Sequence, residues 1–442
     1  MTAKSTSEFP AFRRLFRGML FISACLAASS STPALSQAYT ITDLGDLGGS
    51  YSEAHGINGS GNVVGEFEPT NSLYQHAFYF HNGASEDIGS LGPNNIYAIA
   101  YGINSSNLIV GESSPFDPNV EIQAFVYRNG VMTDLGTLSG TNRAGGYSSA
   151  HGINKPGQIV GESSTAITFN APTHAFLYSG GAMSDLGSLA GASSCSNARG
   201  INDPGVIVGE TDVLVQSATY LHAFVYSNGV MSDLGTLAGA GHYSSAAAIN
   251  GAGIIVGESD IVVGGATDLH AFVYRNGVMS DLGSLGRSNS SASAINSAGQ
   301  IVGYVGNSDN DLNAFLYNGS MMVDLNDYLQ PGSGWMSLNT ADGINDAGQI
   351  AGSGTLADGQ YHAYLLTPSG PWIALGAPTM LTNARFQLTV EGLAGERYVM
   401  LVSTNLTSWV SLATNTLSGT TTNFIDTGAS NWHRFYRALL LP

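Results

Sequence analysis

The dipeptide Ile-Asn begins at residues 57, 103, 153, 201, 249, 295 and 344, at intervals of 46, 50, 48, 48, 46 and 49 residues. Seven stations at near-constant spacing restrict the chain to a repeat architecture, because periods of this length belong to propellers or solenoids. Each period holds four short pieces rich in aromatic or β-branched residues. One period reads His222-Ala223-Phe224-Val225-Tyr226, Val230-Met231-Ser232-Asp233-Leu234-Gly235, Ala246-Ala247-Ala248-Ile249-Asn250 and Ile254-Ile255-Val256-Gly257-Glu258. Pieces of four to six residues bounded by turn formers are strands.

The first two pieces are joined by Asn228-Gly229, and Asn-Gly recurs at 82, 129, 276 and 318. The pair tolerates positive φ at both central turn positions, as a tight hairpin requires. The last two pieces are joined by segments such as Asn154-Lys155-Pro156-Gly157 and Asn202-Asp203-Pro204-Gly205, where Pro-Gly suits the centre of a type II turn. Each unit is therefore a meander of four antiparallel strands. Alternation sends Ala223 and Val225 to one face and His222, Phe224 and Tyr226 to the other, so both faces need cover. Radial packing in a ring supplies it. Recurrent glycines such as Gly235 and Gly257 are expected where blades converge.

Tyr39-Thr40-Ile41-Thr42-Asp43-Leu44-Gly45 matches a second piece without its first, and the missing piece stands at His362-Ala363-Tyr364-Leu365-Leu366. The expectation is an all-β, seven-bladed β-propeller of four-stranded antiparallel blades over residues 39–372, with one blade closed by 39–66 together with 362–366. An open solenoid is the alternative. After Leu366 the pattern stops, and strand-like pieces with other spacing predict a small β-sandwich-like domain over 373–442.

Lys4, Arg13, Arg14 and Arg17, a short apolar run from Met19 to Ala28 and the small residues of Ser36-Gln37-Ala38 read as a signal peptide over 1–38, cleaved before Tyr39. Ile22-Ser23-Ala24-Cys25 also has the form of a lipidation site. No stretch is apolar for the ~20 residues a membrane helix needs. The net charge is −18, and loss of four basic residues and Glu8 with the leader takes it to −21. That sign excludes nucleic acid as a partner. Without the leader, Cys195 is the sole thiol, so no intramolecular disulfide holds the fold.

His-Ala-Phe, Met-x-Asp-Leu-Gly and Gly-x-Ile-Val-Gly-Glu-Ser recur in this order over about residues 39 to 366, and together they resemble the extracellular HAF-repeat family of bacterial secreted proteins. The resemblance implies export to the cell surface or medium, with the periplasm as the alternative, and a repeated β-architecture. It carries no catalytic residues to transfer. Gln123 and Asn313 depart from the His position, Tyr364 from the Phe position, Asn326 from the Gly of Asp-Leu-Gly, and Tyr304 and Ser353 from the Glu position. Ser403-Thr404-Asn405-Leu406-Thr407-Ser408-Trp409 and Arg434-Phe435-Tyr436-Arg437 resemble the small C-terminal modules of secreted proteins from Verrucomicrobia-like bacteria.

His76, His174, His222, His270 and His362 invite a metal, but zinc needs three or four converging donors, and equivalent positions fall on separate units. Each is expected to hydrogen-bond within its own unit, with the Asp of Asp-Leu-Gly as a partner. Asp43, Asp87, Asp134, Asp185, Asp233, Asp281 and Asp324 fill one position in all seven units, and Glu66, Glu112, Glu162, Glu210 and Glu258 another in five. A residue every unit carries serves what every unit needs, a turn or a hydrogen bond, rather than one active site. No cofactor motif is present; calcium in acidic loops is the one ion left open.

Strand parity puts the tight turns on one face and the long, divergent connections on the other, where recognition is usually placed. The longest carries Tyr328 and Trp335, aromatics suited to a sugar or peptide, or alternatively a cap on the last blade. The first functional expectation is therefore a non-catalytic module that binds a glycan, a cell-surface polymer or an exported protein through that face. A polysaccharide lyase or hydrolase is the second, to be marked by His or carboxylates that break the repeat. A structural adhesion module is the third.

Overall fold

The computed structural model describes residues 39–441, apart from 71, 73, 93–96, 116–121, 141–145, 167, 169–170, 308–310, 330–331, 370–372, 376–378, 382–384, 393–395, 405–407, 419–420 and 428–433. The predicted signal peptide and Cys25 lie outside the described residues.

Each repeat forms the expected four-stranded antiparallel meander. The fifth is Ser244–Ile249, Ile255–Val263, Ala266–Arg275 and Val278–Asp281. In the fourth repeat Asn228 and Gly229 take φ of 53° and 82°, so both central residues of its hairpin turn are left-handed, as Asn-Gly allows. In the other turn the Gly157 amide donates to Asn154 O at 3.0 Å, and Gly205 to Asn202 O at 3.0 Å. Glycine thus closes these turns at their fourth position rather than occupying the centre.

The way the sheets join corrects the expected seven-bladed β-propeller. Five repeats are separate four-stranded sheets, but the first and last are fused into one eight-stranded sheet, and no sheet closes on itself into a barrel or propeller. Tyr39–Asp43 pairs antiparallel with Tyr361–Pro368, and the Tyr51–Tyr361 parallel bridge then ties the last repeat to the first. Tyr51–Ile57 and Val63–Glu68 belong instead with His76–His81 and Ala84–Asp87.

Both faces of each repeat are buried, and the alternation explains how. Phe224 and Ile207 of the fourth repeat pack with Val160 and Ala175 of the third, while Val208 and Ala223, their neighbours along the strands, pack with Ile255 and Phe272 of the fifth. Each interface sets a Phe and an Ile against a Val and an Ala, so large side chains fill the space small ones leave. The same pattern joins Ala351 and Ala363 of the last repeat to Val63 and Phe78 of the first.

A second contact runs alongside these cores. The Asn of every Ile-Asn is buried. Its Nδ2 donates to the carbonyl of the next Asn: Asn58 to Asn104, 104 to 154, 154 to 202, 202 to 250, 250 to 296 and 296 to 345, all at 3.1–3.2 Å. Asn345 donates to Asn58 O at 3.0 Å, which closes the circuit. The side-chain oxygen meanwhile accepts the amide four residues on, as in Val206 N to Asn202 Oδ1 at 2.8 Å. One side chain therefore shapes its own turn and ties it to the next repeat.

In the C-terminal region, the sheet containing Ile373–Leu375, Thr379–Leu381, Arg385–Gly392 and Thr421–Asp426 and the sheet of Arg397–Ser403, Val410–Thr416 and Phe435–Leu440 share a core of Ile373, Val390, Tyr398, Met400 and Leu417. No helix among the described residues is long and apolar enough to cross a membrane.

Candidate active site

The first strand of every repeat carries an irregularity at one position. Ala54 pairs with Gly65 and Gly56 with Val64, which leaves His55 as an extra, unpaired residue, a β-bulge. The same shift leaves Tyr101, His151, Arg199, Ala247, Ser293 and Asp342 unpaired in the other six repeats. The glycine of Val-Gly-Glu makes room for it. A Cβ on Gly209 would lie 1.9 Å from Asn197 O, and one on Gly257 2.0 Å from Ser245 O, distances no side chain tolerates. The close approach these glycines permit is thus between strands of one sheet, not between repeats.

Bulges re-aim side chains, and here all seven turn toward one place. His55, Tyr101, His151, Arg199, Ala247, Ser293 and Asp342 line a single cavity of about 440 Å³, together with Ser245, Glu258, Ser291 and Tyr304. That volume is ordinary for a small-molecule site. The surrounding repeat is nearly uniform, yet this position carries two imidazoles, a phenol, a guanidinium, a carboxyl and two small residues.

Burial and neighbours set the charge states. Burial pushes the Asp342 carboxyl up to about 8, and the negative charge of Glu53 adds to this, while the Thr340 hydroxyl donating at 2.6 Å opposes it. Glu53 stands across from Glu66 at the position equivalent to Ser245 and Ser291, which line the cavity with Ala247 and Ser293 in their repeats. Glu66, directly across the strand pair from Glu53, is pushed up to about 7 by burial and by the charges of Glu53 and Glu112, and its Oε2 has no partner. Tyr51 donates to Glu53 Oε2.

Burial also lowers the pKa of His55, whose Nε2 lacks a partner, and of His151, where the Arg199 charge reinforces the effect. His151 is held at both ring nitrogens, by Ser149 Oγ at 3.0 Å and by Asn197 Oδ1 at 3.0 Å. Arg199 is exposed on the cavity wall; partial desolvation pulls its pKa down, but the Glu210 carboxylate, with Oε1 at 2.8 Å, outweighs this and keeps it charged. Burial and the Glu112 and Glu66 carboxylates raise the Tyr101 phenol well above its usual value.

The residues expected to bind ligand sit elsewhere. Tyr328 meets Tyr39 edge-on with ring centroids 5.4 Å apart, and Trp335 meets Tyr364 edge-on at 5.7 Å. Both pack on the core of the last repeat, and burial pushes the Tyr328 phenol up to about 12. They cap that core. A non-catalytic binding module working through Tyr328 and Trp335 is therefore set aside, because the converging polar groups lie in the bulge-lined cavity.

The recurrent His and Asp residues are scaffold. His76, His174, His222, His270 and His362 place Nδ1 2.8–3.0 Å from Asp87, Asp185, Asp233, Asp281 and Asp43. Asn313 donates to Asp324 in the same way, whereas Gln123 turns to Gly146 O and leaves Asp134. The Asp also accepts the amide two residues on, as at Gly136 N to Asp134 Oδ1 at 2.7 Å and Asn326 N to Asp324 Oδ1 at 2.8 Å. The repeated Glu side chains mostly hold tyrosines, with Tyr97 donating to Glu112 at 2.6 Å and Tyr243 to Glu258 at 2.9 Å. Among the described residues, no group of three or more His, Cys, Asp or Glu is placed to hold a metal ion. Cys195 is exposed.

No protein-family model matches the chain, and no curated protein does, so the HAF-repeat resemblance gains no support there. A solved structure titled "Glycoside hydrolase" aligns with 90% of this chain and 96% of its own at 9% identity, with a TM-score of 0.23. A superposition that loose does not equate the two folds.

The sequence reading missed the cavity residues. The available signal was variability inside a fixed frame: in Ala-x-Gly-Ile-Asn the flanks persist while x is His55, Tyr101, His151, Arg199 or, after Ala341, Asp342.

Proposed function

We propose that this chain is a hydrolase that cleaves glycosidic bonds of a polysaccharide in the bulge-lined cavity. The observation that carries the proposal is the placement of Asp342, a carboxyl on the cavity wall at a bulge position that varies from repeat to repeat, where the charge of Glu53 acts on it. Glycoside hydrolysis requires one carboxyl that gives a proton and one carboxylate that does not. Asp342 gives its proton to the glycosidic oxygen as the C1–O bond breaks. Glu53 supplies the negative charge that supports the cationic sugar centre and takes the proton of the incoming water. Opposed environments for two carboxyls are the usual way acid and base roles are divided at neutral pH.

Lyase chemistry on a uronic acid polymer fits less well. Elimination needs a free cation to hold the sugar carboxylate, but Arg199 is answered by Glu210. Export of the enzyme on residues 1–38 belongs to the same proposal, since a polysaccharide substrate is met outside the cytoplasm. Purified protein incubated with a panel of neutral and acidic polysaccharides is expected to release new reducing ends without unsaturated sugars. Unsaturated ends, or no product from any polymer, would contradict it.

A further inference from the structure

Two adjacent bulges break the pattern of the other five. Ala247 and Ser293 carry almost no side chain where their equivalents carry His, Tyr, Arg or Asp. Ser245 and Ser291, two residues earlier on the same strands, are equally small, so the wall between Arg199 and Asp342 is recessed. The repeat of Ser293 is bonded directly to that of Asp342 through Asn296 Nδ2 and Asn345 O at 3.2 Å. A ring seated in the recess therefore lies beside Asp342.

Charge around the recess is one-sided. Among the described lining residues Arg199 is the one permanent cation, and Glu210 already occupies it at 2.8 Å. Burial keeps His55 and His151 from adding positive charge. Glu258 lines the recess and accepts from Tyr243. A carboxylated or sulfated sugar would enter facing Glu258 with no free counter-charge, a desolvation cost without return. An uncharged ring instead meets serine hydroxyls that donate and accept and a carboxylate that accepts.

We infer that the recess over Ala247 and Ser293 is the sugar subsite next to the scissile bond and that it selects uncharged sugar rings. This deepens the hydrolase proposal and rests on it only for the word "scissile"; binding in the recess is a separate matter. Filling the recess needs no foreign geometry, because the equivalent bulge in the second repeat already carries Tyr101.

The test is calorimetric binding of cello-, manno- and xylo-oligosaccharides and of oligogalacturonate to the wild type, to Ala247→Tyr and to Ser293→Tyr, with turnover measured in parallel and thermal unfolding confirming that each variant folds. At least one neutral oligosaccharide should bind, oligogalacturonate should not, and each tyrosine variant should weaken binding tenfold or more. No neutral binding, equal binding of oligogalacturonate, or binding indifferent to both variants overturns the subsite. Binding that the variants weaken, in a protein that cleaves nothing, sustains the subsite and removes the hydrolase proposal; cleavage with variants that change nothing does the reverse.

Discussion

Asp342→Asn lowers the rate of polysaccharide cleavage by about 10²–10⁴-fold while leaving oligosaccharide affinity close to that of the wild type. The range is that of losing a positioned general acid. Asparagine keeps the size of the side chain and an oxygen for the Thr340 hydroxyl, so the cavity is preserved. The wild-type rate should fall as pH rises through about 8, where Asp342 loses the proton it must donate. The variant should lack that limb. Stability has a matching sign. Between the usual carboxylate range and about 8 the folded protein holds a proton at Asp342 that the unfolded chain has released, so this carboxyl makes the fold less stable as pH rises through that window. Asp342→Asn removes this contribution. A rate within threefold of wild type would remove Asp342 from the acid role.

Asn202→Leu should cost about 1.5–4.5 kcal/mol of unfolding free energy, read as a lower denaturation midpoint. Leucine strands one part-buried backbone group, the Val206 amide, and removes one of the two bonds that the buried Asn250 carbonyl accepts, the Gly253 amide keeping the other. The unsatisfied amide costs about 1–3 kcal/mol and the second bond to the carbonyl about 0.5–1.5 kcal/mol. The loss is a large part of the ~5–15 kcal/mol that usually holds a domain folded. The circuit of seven such bonds returns to its start through Asn345 and Asn58, so substitution at Asn345, between last and first repeats, should cost about as much as at Asn202. A change below about 1 kcal/mol at both would show that the circuit carries no weight.

Much of the scaffold was legible because it is local. Asn228-Gly229 specifies a hairpin turn by its own backbone freedom, Ala223 and Phe224 face opposite ways because strands alternate, and His222 reaches Asp233 across one hairpin. What failed was non-local. The fusion of the first and last repeats rests on Tyr51 meeting Tyr361, and no local pattern announces it. Tyr328 looked exposed because its connection is long, yet its ring is covered by Tyr39, far away in sequence. The site itself was hidden for a related reason. Repetition drew attention to His and Asp positions that are constant because they hold each hairpin together, whereas the cavity is built where the repeat varies. Whether x in Ala-x-Gly-Ile-Asn points outward or inward depends on a bulge, and the bulge depends on a glycine in the next strand. The role of the Ile-Asn asparagines, visible from the start as markers of the period, likewise required knowing that each turn lies against the next.

The proton on Asp342 can be followed directly by ¹³C NMR of the side-chain carboxyls, with Asp342→Asn identifying the resonance. Titration with a midpoint near 8 is the expected result; a midpoint at about 4, the value of an ordinary aspartate, would mean that the carboxyl is ionised at neutral pH and has no proton to give.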